Sequence, residues 1–124
     1  MKAELRIGNH IGQGEVMEIK ENVVRVKYTA DKERTSLIRY EDIQPIPLSE
    51  EVLLKCGFEK CEKHENFYFI KLNDWTKIYV AFHEKQYAVE LSVSKHSFCP
   101  KVKHLHQLQN LYYALCGREM EVSL

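Results

Sequence analysis

The sequence predicts an α+β protein: a β-rich amino-terminal unit, then an antiparallel sheet with two helices packed on it. Three observations carry this expectation. Apolar residues alternate with period two in short runs before residue 29 and again between residues 67 and 93, the spacing of strands that bury one side. Two other segments, around 48–58 and 104–117, carry their apolar residues at helical spacing. Glycine, asparagine and proline divide these runs into hairpin-sized pieces.

In the first unit, residues 1–47, Leu5 and Ile7 alternate before Gly8, Gly12 and Gly14 punctuate the chain. Met17 and Ile19 share one face of the next run. After a turn at Glu21-Asn22, Val24, Val26 and Tyr28 point one way, with Arg25 and Lys27 facing out. "TADKERT" is a polar loop, and "SLIRY" supplies a further strand near Leu37–Tyr40. Pro45 and Pro47 keep Gln44 and Ile46 out of helical angles, so the unit exits in an extended segment. Four or five such strands describe a curled sheet or a small SH3-like barrel, a unit of marginal stability alone.

The second unit, residues 48–124, opens on a helix in "PLSEEVLLKCGF". Ser49 is a good N-cap, because its hydroxyl accepts from a backbone N–H that lacks a helical partner. Glu50 and Glu51 lie where the helix dipole favours negative charge. Leu48 and Leu53 occupy the two positions of a hydrophobic staple, and Gly57-Phe58 suit a Schellman closure. Val52, Leu53 and Cys56 form its docking face. "FYFIK" (67–71), "IYVAF" (78–82) and "YAVELSV" (87–93) then read as a three-stranded meander joined by short connections. The helix in "KHLHQLQNLYYALCG" is expected to cover the apolar face of that sheet, and "EMEVSL" to add an edge strand.

Composition narrows the function. Of 124 residues 44% are hydrophobic, and glycine and proline are few. A chain of this length buries roughly two thirds of its unfolded surface. Lysine and arginine number 18, as do aspartate and glutamate. That balance argues against a protein that lives by phosphate contacts alone. No apolar run is long enough for a membrane span, and "MKAELRIGNH" has no signal-peptide core. The expectation is a cytoplasmic protein whose Cys56, Cys61, Cys99 and Cys116 are reduced thiols, with no cofactor.

The last helix raises the main functional question. From His104 to Cys116 it holds no acidic or basic residue other than histidine. Leu105, Leu108, Tyr112 and Leu115, widened by Leu111, form its core stripe. The other side carries His106, Gln109, Asn110 and Tyr113. Charge depletion and tyrosine are marks of protein interfaces, so these four residues are the predicted contacts of a non-enzymatic, protein-binding or self-associating module. The alternative explanation is that this side is covered within the molecule.

Three segments, "ELRIGNHI" (4–11), "PIPLSEEVLLKCGFEK" (45–60) and "VKHLHQLQNLYYALCGREMEV" (102–122), resemble the recurring blocks of a family of small bacterial and phage-associated proteins of unknown function. The resemblance covers about a third of the chain. It implies a soluble protein carried on mobile elements, and supplies no catalytic residue.

Other chemistries leave weaker marks. Cys61-x-x-His64 and His96-x-x-Cys99 are two ligand pairs of the kind zinc uses, without the glycine-containing knuckles of a zinc finger. Cys99, near His96 and His104, is the best-placed thiol for nucleophilic chemistry, but no nucleophile motif surrounds it. Cys116 sits at the negative end of its helix, which disfavours a thiolate. "GNHIGQG" lacks the lysine and the strand-to-helix setting of a phosphate loop. Acidic residues alternate with lysines as on a solvated surface, so no carboxylate pair stands out. "KHSFCPKVKHLH" (95–106) is free of acids, and its Lys95, Phe98, Lys101 and Lys103 make nucleic acid the alternative ligand.

Overall fold

Four strands form the first sheet in chain order: β1 (His10–Ile11), β2 (Gly14–Ile19), β3 (Val23–Lys27) and β4 (Thr35–Arg39). The structure is a computed structural model. It describes residues 4–63, 65–83, 86–93, 96–98 and 101–124, and at 83, 86–89, 91, 93 and 96–98 the backbone alone.

All pairings in this sheet are antiparallel. Val16 pairs with Val26 and Val24 with Ile38. Val16, Val24 and Val26 are fully buried, and Leu5, Ile11 and Ile43 complete their core. A bulge between Val16 and Glu18 corrects the reading of β2. The extra residue shifts the alternation, so Val16 points inward while Met17 is 39% exposed. Leu5 and Ile7 lie in no strand, and Ile7 is part of a turn closed by Asn9 N–H on Arg6 O at 3.0 Å. Asn9 Oδ1 accepts from Arg6 N–H at 2.7 Å, which buries Leu5 and leaves Ile7 exposed. β1 and β4 are the sheet's edges and do not pair with each other. The sheet is therefore open, and the closed barrel is not formed.

Helix α1 (Glu50–Lys55) has the predicted ends. Ser49 Oγ accepts from Val52 N–H at 3.2 Å. At its other end Phe58 N–H reaches Leu53 O at 3.0 Å and Gly57 N–H reaches Leu54 O at 3.3 Å, the two bonds of a Schellman motif. Gly57 takes φ +86°, where a Cβ would be strained. Leu53 and Cys56 are buried, as the docking face requires.

The second sheet is an antiparallel meander of five strands, two more than the sequence shows: β5 (Glu59–Lys60), β6 (Phe67–Lys71), β7 (Thr76–His83), β8 (Gln86–Val93) and β9 (His96–Phe98). Tyr68 pairs with Val80 and Ile70 with Ile78. Tyr68, Ile78 and Val80 are buried, which defines the core face. Phe67, Phe69, Lys77 and Tyr79 alternate with them on the other face. Residues 119–124 form no strand. Within them Met120–Ser123 belong to the second unit, where Ser123 N–H donates to Lys55 O at 3.0 Å.

The chain divides into two compact units, and the division corrects the predicted one. The first contains the chain up to Leu48, His104–Glu119 and the terminal Leu124. The second contains Ser49–Lys103 with Met120–Ser123. The carboxy-terminal helix, α2 (Leu105–Cys116), was expected on the second sheet and instead belongs to the first unit. It enters there through an isolated bridge between Pro47 and His104, with Leu105 N–H donating to Ile46 O at 2.8 Å. No helix among the described residues is long and apolar enough to cross a membrane.

Candidate functional site

The predicted contact face of α2 is largely sealed within the first unit. His106 and Gln109 are 0% and 1% exposed. The Gln109 side chain spans two backbone groups of the amino-terminal segment. Its Oε1 accepts from His10 N–H at 2.7 Å and its Nε2 donates to Gly8 O at 3.1 Å. Asn110 Oδ1 accepts from Asn9 Nδ2 at 2.8 Å and from Arg6 Nε at 3.2 Å, while Asn110 Nδ2 donates to Glu4 O. Helical spacing aligns these amides with the side of the amino-terminal segment that faces away from β2: Gly8 N–H and Asn9 O already pair with Val16, which leaves Gly8 O and His10 N–H to the Gln109 amide. Buried backbone groups need partners, and the amides supply them where charged side chains would have been costly to bury. The missing charge on α2 therefore reflects internal hydrogen bonding. His106, Gln109 and Asn110 are withdrawn as contacts for a visitor.

Tyr113 is 41% exposed, but its ring carries the Arg6 guanidinium 4.2 Å from its centroid. Arg6 is also held by both carboxylate oxygens of Glu119. This bidentate pair and the cation–π contact tie the start of the chain to the last turn of α2 and to the segment just beyond it.

His106 Nε2 lies 3.3 Å from Glu4 Oε2, its Nδ1 has no partner among the described residues, and its ring stacks on His104 at 5.8 Å. Burial pushes the His106 imidazole below its ordinary value, against the pull of the Glu4 carboxylate. The hydrogen bond from His106 in turn holds Glu4 below the usual carboxylate range. A neutral His106 donating through Nε2 satisfies both. Burial also lowers His10, opposed by Glu15 and Glu119 and reinforced by Lys27. Histidines depressed in the folded state take up protons on unfolding. Their contribution to stability is complete above the unfolded value of about 6.5 and is lost as pH falls below it. Glu4 acts with the same sign below its unfolded value. Unfolding of the first unit by denaturant should therefore require less denaturant at pH 5 than at pH 7.5, and His106→Asn should flatten that dependence.

The second unit presents a cleft of about 620 Å³, and the first unit one of about 470 Å³ beside Tyr28 and Arg34. The larger one lies on the open face of the second sheet. Phe69 and Tyr79 are cross-strand partners there, their ring centroids 6.1 Å apart at 41°. Both rings are half-buried. Lys77 Nζ sits 5.5 Å from the Phe69 centroid, and Lys60 and Lys63 line the same cleft with Glu59 and Glu62. None of these three lysines forms an ion pair among the described residues. Sequence reading placed these residues in strands and loops but did not join them. The signal available was the Phe69/Tyr79 alternation opposite the buried Tyr68 and Val80.

The remaining predicted residues are not brought together. Of the zinc candidates, Cys61 is a half-buried free thiol in the cleft, His96 is described by its backbone in β9, and His64 and Cys99 lie outside the described residues. Among the described residues no group of three or more side chains is placed to hold a metal. Of the basic segment, Lys101 and Lys103 are exposed, Phe98 is described by its backbone, and Lys95 lies outside the described residues. Burial pushes the Cys56 thiol up to about 11, and Cys116 Sγ donates to Tyr112 O at 3.2 Å. Neither thiol is placed for nucleophilic work.

In comparisons with known proteins, no family model, curated protein or solved structure matches this chain.

Proposed function

We propose that the chain is a non-enzymatic binding module whose recognition surface is the open face of the second sheet. The Phe69–Tyr79 pair carries this reading, because it holds two half-buried rings on the open face beside Lys77, with Lys63 in the same cleft. Aromatic groups flanked by cations are the working parts of binding surfaces. No set of activated nucleophile, base and oxyanion donors accompanies them among the described residues. For the first unit we read the meander of four short strands as SH3-like in its connectivity alone.

A second reading keeps a protein contact on α2, supported by Tyr113 and Leu115, which are 41% and 38% exposed. The two readings separate in one experiment. Molecules retained from a host lysate by the immobilised protein are compared with those retained by Phe69→Ala/Tyr79→Ala and by Tyr113→Ala/Leu115→Ser. The proposed surface predicts at least a tenfold loss with the first variant and near wild-type retention with the second. The opposite pattern, or a captured set that neither variant changes, overturns it.

A further inference from the structure

We infer that the cleft on the second sheet takes single-stranded nucleic acid, an inference that rests on reading this cleft as the recognition surface. The tilted Phe69 and Tyr79 rings stand side by side on adjacent strands. Unpaired bases stack on such platforms with little regard to sequence. Lys77 shares their face and Lys63 lines the cleft, both without ion pairs among the described residues, whereas Lys60 pairs with the buried Tyr68 and so lies on the other face of β5. The volume of about 620 Å³ suits a ligand-sized site.

The charge in the cleft selects between nucleic-acid forms. Glu59, the cross-strand partner of Phe69, and Glu62 line it too, so they balance Lys63 and Lys77 and leave no net charge beside the rings. That is too little to hold a duplex through its backbone, the main source of duplex affinity. Stacking must supply most of the binding, and stacking requires bases free of a complementary strand. The neutral charge of the whole chain accords with a site that uses few phosphate contacts.

The test is fluorescence anisotropy with labelled dT and rU 12-mers and a 12-base-pair duplex, using the full chain. The single strands should bind at low salt and the duplex should not. With two phosphate contacts, affinity should fall roughly 7-fold between 50 and 200 mM salt. Phe69→Ala and Tyr79→Ala should each weaken binding about 5- to 100-fold. Lys63→Gln/Lys77→Gln, on exposed and half-buried positions that do not threaten folding, should flatten the salt dependence. Absence of single-strand binding, while lysate capture still depends on the two rings, overturns the ligand class and leaves the recognition surface standing. Oligonucleotide binding that survives both ring variants overturns the assignment of this cleft. A duplex bound as tightly as the single strands overturns the stacking mode.

Discussion

Replacing Gln109 with leucine is expected to destabilise the first unit by about 2–4 kcal/mol. The side chain is 1% exposed and serves Gly8 O and His10 N–H together. Leucine fills the space, excludes water and leaves both backbone groups without a partner, each costing about 1–3 kcal/mol. For a unit of this size the thermal midpoint should fall by roughly 8 °C or more. Gln109→Glu provides the control. It keeps the acceptor for His10 N–H and sets an oxygen against Gly8 O, so it should be destabilised at neutral pH. Its deficit relative to wild type should shrink on acidification, as the carboxyl gains a proton to donate. Thermal melts of the three proteins at pH 5 and pH 7.5 measure both effects. Equal stability of the leucine variant and wild type would show that these amide bonds do not hold α2 in place.

Gly14→Ala should cost about 3–5 kcal/mol. Gly14 has φ +149°, and a Cβ there would lie 2.1 Å from Lys27 O. The obstacle is backbone, so relief requires β2 and β3 to separate near the buried Val16–Val26 pair. Gly57→Ala isolates the conformational cost. Its φ is +86° and nothing lies within 4 Å of the added methyl, so it should lose only about 1–2 kcal/mol. Amide hydrogen exchange at Val24 and Val26 should rise sharply in the first variant and stay unchanged in the second. Similar losses in both would place the whole effect in backbone conformation and none in the close approach to Lys27.

The α1 segment carries its own signals: a serine cap, two glutamates in the first turn and Gly57-Phe58 at the end. All act within a few residues, so reading them needs no knowledge of distant partners. The strands around Val24 and those between Phe67 and Val93 were visible for the same reason, since alternation is local. The β2 face was misread because a bulge is a property of a pair of strands. One extra residue opposite Arg25 reversed the expected exposure of Met17. The cleft was invisible for a similar reason: Phe69 and Tyr79 become neighbours only through the register of β6 and β7.

The clearest lesson comes from α2. Its uncharged surface was correctly singled out, but the sequence offered two explanations, a visiting partner or cover within the molecule. Gln109 and Asn110 look the same in either case. What distinguishes them is whether unpaired backbone groups lie within reach, and those groups belong to residues about a hundred positions away.

The sequence by itself determined the longer elements: β2 to β4, β6 to β8 and the two helices, how α1 begins and ends, and the lack of acidic, lysine and arginine side chains along α2, but not the short strands β1, β5 and β9. Only the tertiary structure decided which unit α2 joins, and hence what its amides bind. Secondary structure follows from forces between residues near in sequence, whereas the partner of a buried polar group is chosen by whatever the folded chain places opposite it.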